Sequence, residues 1–337
     1  MKRPLLLPVV PLYAAGVALR ELRLERGWEP VRKLHDPVIS IGNLSTGGSG
    51  KTPFTIALVH LLSARGWQVD VLSRGYGRRR CNVAVRVDPN GSSDEYGDEP
   101  LLIARKAGVP VYVAAERYAA GRLAESEAVT SQAGRVHLLD DGFQHRQLAR
   151  DIDILLLNRE DWHDYLLPAG NLRETRNAAK RASVIAIPSD EARLDDELRG
   201  WGWTGPIWRM RRRMDVPHIE GPVTAFCGIG RSEQFFAGLR GAGMVVAGHS
   251  AFADHHRYTV RDVESLVAKA GSTGSIALVT TEKDEVRLGK LGSLFPPTLP
   301  LKAARLSIEI GGEEGIVAWI EQRVAVADRG DVGSGSR

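Results

Sequence analysis

Between Gly42 and Phe54 the chain reads GNLSTGGSGKTPF. A lysine followed by a hydroxyl residue, after a run holding Gly47, Gly48 and Gly50, is a residue set suited to phosphate. Glycines without Cβ let backbone N–H groups curl around the anion, Lys51 reaches the outer phosphates, and the Thr52 hydroxyl holds Mg²⁺. The usual pattern begins with a glycine where this chain has Ser45, while Gly47 and Gly48 still supply the flexible turn. A second chemical signal lies about 90 residues on, where the apolar run of VHLLDDGFQHR ends in Asp140-Asp141. A carboxylate at a strand end binds Mg²⁺ directly or through water. A guanine-nucleotide switch would read Asp-x-x-Gly there, and position 143 is Phe.

Other residues are open to two readings. Asp98, in Gly97-Asp98-Glu99-Pro100, suits a helix N-cap and equally a catalytic carboxylate on a loop. Arg173 and Glu174 stand at the head of an expected helix through Ala178 and Ala179, where Glu174 complements the helix dipole, or else the pair serves phosphate and metal. Asp254-His255-His256 raises the question of zinc, but no second ligand cluster stands at metal spacing, and the alternative is a carboxylate and imidazoles positioning a base.

These groups need elements to hold them. Val38–Ile41 reads as a buried strand, and Phe54, Ile56, Leu58, Leu61 and Leu62 recur at helical spacing behind the glycine loop. Strands are expected at Gln68–Ser73, Asn82–Val87, Pro110–Ala114, Val136–Asp140, Asp153–Leu157 and Ala182–Ile187, with helices at Leu101–Ala107 and Glu116–Glu127. Alternation of this kind predicts an α/β fold of the P-loop NTPase type, a parallel sheet with helices on both faces. Trp201 to Pro222, rich in Trp, Gly, Pro and Arg, reads as a join. Strands at Val223–Phe226, Met244–Val246 and Ile276–Thr280, with helices at Ser232–Leu239 and Thr259–Ala270, make a second, smaller α/β unit. The expected organisation is an N-terminal segment 1–36, a nucleotide-binding domain 37–215, a C-terminal domain 216–328 and a disordered tail 329–337.

The chain has 337 residues, 43% of them hydrophobic, and a net charge of +4, which suits a soluble α/β protein. Two cysteines, Cys81 and Cys227, in no CxxC pattern, fit a reducing compartment and exclude a cysteine-rich metal site. Arginine clusters at 74–80 and 209–213 suit phosphates or are solvated faces. From Pro4 to Leu19 there is no charge, and the run is followed by Arg20-Glu21-Leu22-Arg23. A secretory signal conflicts with an ATP-type loop thirty residues on, and Pro4, Pro8 and Pro11 argue against a spanning helix of roughly 20 apolar residues. An amphipathic helix lying on an anionic membrane face, or one packed on the main domain, remains.

Seven motifs now stand in order: GNLSTGGSGKTP (42–53), SRGYGR (73–78), GDEP (97–100), LLDDGFQHR (138–146), LPAGNLRE (167–174), FADHHRYT (252–259) and TTEKDEVRL (280–288). Along nearly its full length the chain resembles the tetraacyldisaccharide 4′-kinase family, the lipid A 4′-kinases. Ser45 is consistent with that family.

The resemblance implies transfer of the γ-phosphoryl group of ATP to the 4′-hydroxyl of a tetraacylated glucosamine disaccharide 1-phosphate, with Mg²⁺. It also implies peripheral or monotopic attachment to the cytoplasmic face of the inner membrane of a Gram-negative bacterium; no nucleic acid is expected, and no protein partner is implied. On matched motifs, Asp98 is the expected base or orienting carboxylate and His255, rather than His256, its partner. Asp140, Asp141 and Glu174 are the expected metal and phosphate-handling acids, Arg173 a γ-phosphate contact, and Ser45, Thr46, Gly47, Gly48, Ser49, Gly50, Lys51 and Thr52 the nucleotide loop. An Asp polarised by His is expected to act without a large pKa shift. A membrane ATPase or switch, a soluble small-molecule kinase and a lipid-binding module are the rival readings.

Overall fold

A computed structural model describes residues 3–78, 83–128 and 134–332, with side chains through 325 in the last stretch. Arg79 and Arg80 of the first arginine cluster, Cys81, the expected start of a strand at Asn82, and tail residues 333–337 lie outside the described residues.

Twelve strands form one sheet: β1 (Val38–Asn43), β2 (Gln68–Ser73), β3 (Val85–Arg86), β4 (Val111–Val113), β5 (Arg135–Asp140), β6 (Ile152–Leu156), β7 (Val184–Pro188), β8 (Ile207–Asp215), β9 (Pro222–Cys227), β10 (Val245–Ala251), β11 (Ala277–Thr281) and β12 (Leu301–Ile310). Their spatial order is β10-β9-β11-β12-β8-β7-β6-β1-β5-β2-β4-β3. Pairing is parallel except between β12 and β8 and between β3 and β4. All six residues of β1 are buried, as a central parallel strand covered on both faces must be. β1 lies between β5 and β6, and its pairing with β5 sets Ile41 opposite Asp140, so the ends of the two strands open side by side. Chain order reverses direction at this point, where an open α/β sheet leaves a crevice for ligands.

Trp201–Pro222 is not a linker but contains β8, whose Trp208 and Met210 are buried while Arg211 is exposed. β12 runs antiparallel to it, and Ile308 and Ile310 of β12 join Ile316, Ile320 and Val324 of the last helix, Glu313–Val332, in one apolar cluster with Phe54 and Leu58. The segment expected as a separate unit, 216–328, therefore gives its last strand and helix to the core of the first half. That helix also takes in residues 329–332 of the expected tail.

At the other terminus a 3-10 turn, Pro4–Val9, runs into the helix Val10–Glu25. Together they are 22 residues, longer than the uncharged run in the sequence and long and apolar enough to cross a membrane by length and composition. Leu5, Leu12 and Leu19 are exposed. The polar side grips the body: Arg20 donates to the Gln144 carbonyl at 2.8 Å, Tyr13 donates to the Arg173 carbonyl at 3.0 Å, and Glu21 accepts from Arg146 at 3.3 Å and Arg181 at 3.0 Å.

Candidate active site

The loop after β1 turns directly into the helix Lys51–Ala64, with Gly50 at φ 87° as its N-cap. That left-handed conformation is open to glycine at no steric cost and strained for a residue with a Cβ. At Gly42 the demand is for space, because a Cβ there would stand 2.5 Å from Cβ of Phe143, so β1 and the Asp-Asp-Gly-Phe turn close on each other only without one. Asn43 organises the loop: its Oδ1 accepts from Lys51 Nζ at 3.1 Å and Arg173 Nη2 at 2.5 Å, and its Nδ2 donates to the Ser45 hydroxyl at 3.0 Å. Arg212 of β8 donates to the Ser49 carbonyl at 2.6 Å, tying the loop to the strand that the sequence disguised.

Asp140 and Asp141 differ although adjacent. Asp140 is buried and accepts from the Thr55 hydroxyl at 3.1 Å, and burial, then the charges of Glu99 and Asp141, push its carboxyl up to about 7. Burial also raises Asp141, but Lys51 at 3.5 Å and Arg173 at 2.9 Å overcome it and hold its carboxyl below the usual range. Asp141 has φ 50°, and His255 φ 57°; they are the two non-glycine residues of positive φ among the described residues. Backbone strain of about 1–3 kcal/mol collects at functional positions.

Asp98 opens the helix Asp98–Ala107 and is 6% exposed. It is more than a cap: Oδ2 faces His255 Nδ1 at 3.0 Å and accepts from Arg287 Nε at 2.7 Å. His256 instead pairs with Asp262 at 3.1 Å. Burial would raise the Asp98 carboxyl, but the hydrogen bond from His255 and the charges of Arg287, His255 and Lys283 take it well below the usual range. The expectation of little pKa shift fails because Arg287, buried and 189 residues away in sequence, shares the carboxylate. The bond to Asp98, then burial in the opposite sense, sets the His255 imidazole above its usual value. Beside it, Glu99 accepts from Lys283, whose charge lowers the Glu99 carboxyl against burial.

Phosphate loop, Asp140, Asp141, Asp98, Glu99, Arg173 and His255 line one cleft of about 880 Å³. Glu174 is not among its lining residues. It is held by Arg181 at 2.5 Å in a side cleft of about 260 Å³ beside Tyr13 and Glu21 of the N-terminal helix. No helix begins at Arg173-Glu174; a 3-10 turn follows at Arg176–Arg181. Sequence reasoning gave no role to Asn43, Glu99, Lys283 or Arg287, though each lies within a motif quoted above.

A glycine loop feeding a helix N-terminus, with strand-end acids beside it, on a sheet of this topology defines a phosphotransferase of the P-loop class. The sequence model of the family described as tetraacyldisaccharide-1-P 4′-kinase matches residues 2–325, and the chain belongs to that family. A tetraacyldisaccharide 4′-kinase of Koribacter versatilis is 41% identical over 331 residues, covering 94% of this chain and 99% of the relative. One from Stenotrophomonas maltophilia is 36% identical over 311 residues, covering 88% and 87%. The crystal structure of the "apo" form of LpxK from Aquifex aeolicus in complex with ATP superposes with a TM-score of 0.73 at 33% identity, over 95% of this chain and 98% of that one.

Proposed function

We infer that the protein transfers the γ-phosphoryl group of ATP to the 4′-hydroxyl of tetraacyldisaccharide 1-phosphate, a step of lipid A biosynthesis. The supporting observation is the single cleft in which Lys51 and the glycine loop stand with the Asp98–His255 pair. Phosphoryl transfer asks for positioning and charge neutralisation rather than covalent chemistry from the protein. In this reading Ser45 to Thr52 cradle the phosphates, and Lys51 and Arg173 offset negative charge on the transferring group. The acceptor oxygen bonds to the γ-phosphorus as the bond to the β-phosphate oxygen breaks, ADP leaves, and the hydroxyl proton passes to Asp98. A carboxylate held as acidic as this one is a weak base, so it orients the hydroxyl first and takes the proton late. His255 and Arg287 fix its orientation.

The donor set suits Mg²⁺. Thr52, Asp140 and Asp141 offer hard oxygen atoms, and two adjacent carboxylates, one of them buried, make the environment a hard dication neutralises. When bound, the ion shields charge on the phosphoryl oxygens. Glu174, paired with Arg181, is left out of this set.

The acceptor's acyl chains place the enzyme at a bilayer. Exposed Leu5, Leu12 and Leu19 support peripheral attachment of the N-terminal helix to a membrane, and the use of ATP argues for the cytoplasmic face of the inner membrane. The test is transfer of ³²P from [γ-³²P]ATP to tetraacyldisaccharide 1-phosphate in detergent micelles by wild type and Asp98→Ala. Labelled lipid from wild type alone supports the reading, whereas phosphate released to water without labelled lipid favours an ATPase.

A further inference from the structure

His137 begins a polar cluster that takes no part in phosphoryl transfer. It is the third residue of β5, three residues before Asp140. The ring is fully buried. Its Nδ1 stands 2.6 Å from Asp70 Oδ1 in β2. An ionised carboxylate only accepts, so Nδ1 carries the hydrogen; burial opposes charge on the ring, but the carboxylates of Asp70 and Glu125 raise the imidazole to about 9, so a cation at Nε2 takes the place of a proton. Nε2 is without a hydrogen-bond partner. Facing it are Asp36 Oδ2 at 3.8 Å, from the segment entering β1, and Glu125 Oε1 at 3.9 Å, from the helix Arg117–Ser126.

Those distances are too long for N–H···O bonds, so a proton on Nε2 would be buried without an acceptor. They are close to the roughly 3.3 Å between ligand atoms around a tetrahedral ion with bonds of ~2.0–2.1 Å. The carboxylates have other partners as well. Asp36 Oδ1 meets His35 at 3.3 Å, and Glu125 Oε1 accepts from the amides of His35 at 2.5 Å and Asp36 at 3.3 Å. Arg122 pairs with Glu125 Oε2 at 2.8 Å, while Arg135 pairs with Asp70 Oδ2 at 2.8 Å and approaches Asp36 at 3.6 Å. Three carboxylates thus face two guanidinium groups and the His137 imidazole, and a divalent ion in place of the imidazole's second proton keeps the cluster's charge compensated. The Asp70–His137 pair is the carboxylate–imidazole arrangement that fixes a metal-binding histidine's tautomer.

We propose that His137 Nε2, Asp36 and Glu125 hold a divalent transition-metal ion, Zn²⁺ foremost, that pins the segment entering β1 to β5 and to the helix Arg117–Ser126. One nitrogen and two carboxylates, with water in the fourth position, suit zinc better than Mg²⁺, which prefers oxygen alone. The half-buried Asp36 and exposed His35 give the ion its way in. The role is structural, because none of Asp36, Glu125 and His137 lines the catalytic cleft.

The test uses tag-free full-length protein in detergent, stripped with chelator, reloaded with ZnCl₂ and dialysed. Metal content is then measured by mass spectrometry and thermal unfolding with and without Zn²⁺. Because His137 is fully buried, the variants are Asp36→Asn and Glu125→Gln, with Asp141→Asn as the control for binding in the catalytic cleft. About one zinc per chain, a Tm raised by Zn²⁺, and loss of both in Asp36→Asn and Glu125→Gln but not in Asp141→Asn are expected. Wild type that retains no zinc and shows no Tm response overturns the proposal. So does zinc that survives Asp36→Asn and is lost in Asp141→Asn.

Discussion

Arg287 and Asp98 form a buried ion pair, with Nη2 2.6 Å and Nε 2.7 Å from the one carboxylate oxygen that also faces His255. Arg287 also donates to Asp284 at 2.9 Å and to the Gly228 carbonyl, so it cannot follow Asp98 elsewhere. The acceptor-side carboxylate is held in orientation and in its charged form by the same guanidinium.

Arg287→Met should lower kcat by about 10²-fold or more, the range for losing a positioned acid–base group. It should also cost about 3–5 kcal/mol of stability, as breaking one side of a buried pair does. With the positive charge gone, the Asp98 carboxyl rises, so the acid limb of the pH–rate profile moves up. Measured profiles with an unmoved acid limb would show that Arg287 is only structural.

The same pair sets a pH window for stability. Asp98 is lowered in the folded state, so its contribution is full above its unfolded value of ~3.9 and fades as pH falls toward the folded value. His255 is raised, so its contribution is full below ~6.5 and fades as pH rises through its folded value. The Tm difference between wild type and Asp98→Asn should therefore be largest between about pH 4 and 6.5. Differential scanning fluorimetry across pH 3–9 reads it, and a flat difference would contradict the linkage.

Lys51→Ala and Asp98→Ala should both abolish transfer, but with different binding. Losing the lysine's charge-assisted contact should weaken ATP affinity by roughly 10²-fold, while Asp98→Ala should leave it within about threefold. Calorimetric titration separates them. Equal ATP affinity in the two variants would undo the division between donor and acceptor sides of the cleft.

Leu5→Ser/Leu12→Ser should reduce partition onto anionic vesicles by ~10²-fold or more, at about 1.5–3 kcal/mol for each leucine no longer buried in lipid. Because neither leucine touches the cleft, ATP affinity should hold. Vesicle flotation at constant salt is the measurement, and unchanged flotation would detach the helix from membrane binding.

Much of this was legible in the sequence because it is local. Strand, glycine loop, Gly-Lys-Thr and helix are consecutive, and Gln68–Ser73 matches β2 residue for residue. β8 was hidden because Ile-Trp-Arg-Met-Arg-Arg-Arg-Met-Asp carries an alternation that its arginine content masks. That Glu174 turns toward Arg181 was not legible, since motif order records neighbours along the chain, whereas Arg181 and the N-terminal helix decide where its carboxylate points. The Arg287–Asp98 pair spans 189 residues and leaves no periodic trace in either segment.

The return of β12 and the final helix to the core beneath the phosphate loop bears on the order of synthesis. Phe54 and Leu58 share their cluster with Ile308, Ile316 and Ile320, which are made much later in the chain, so that core closes only once the later segment has been synthesised. The apolar segment Pro4–Glu25 is therefore synthesised well before the nucleotide pocket is complete. Loss of β12 and the helix that follows it would strike the ATP half of the molecule first.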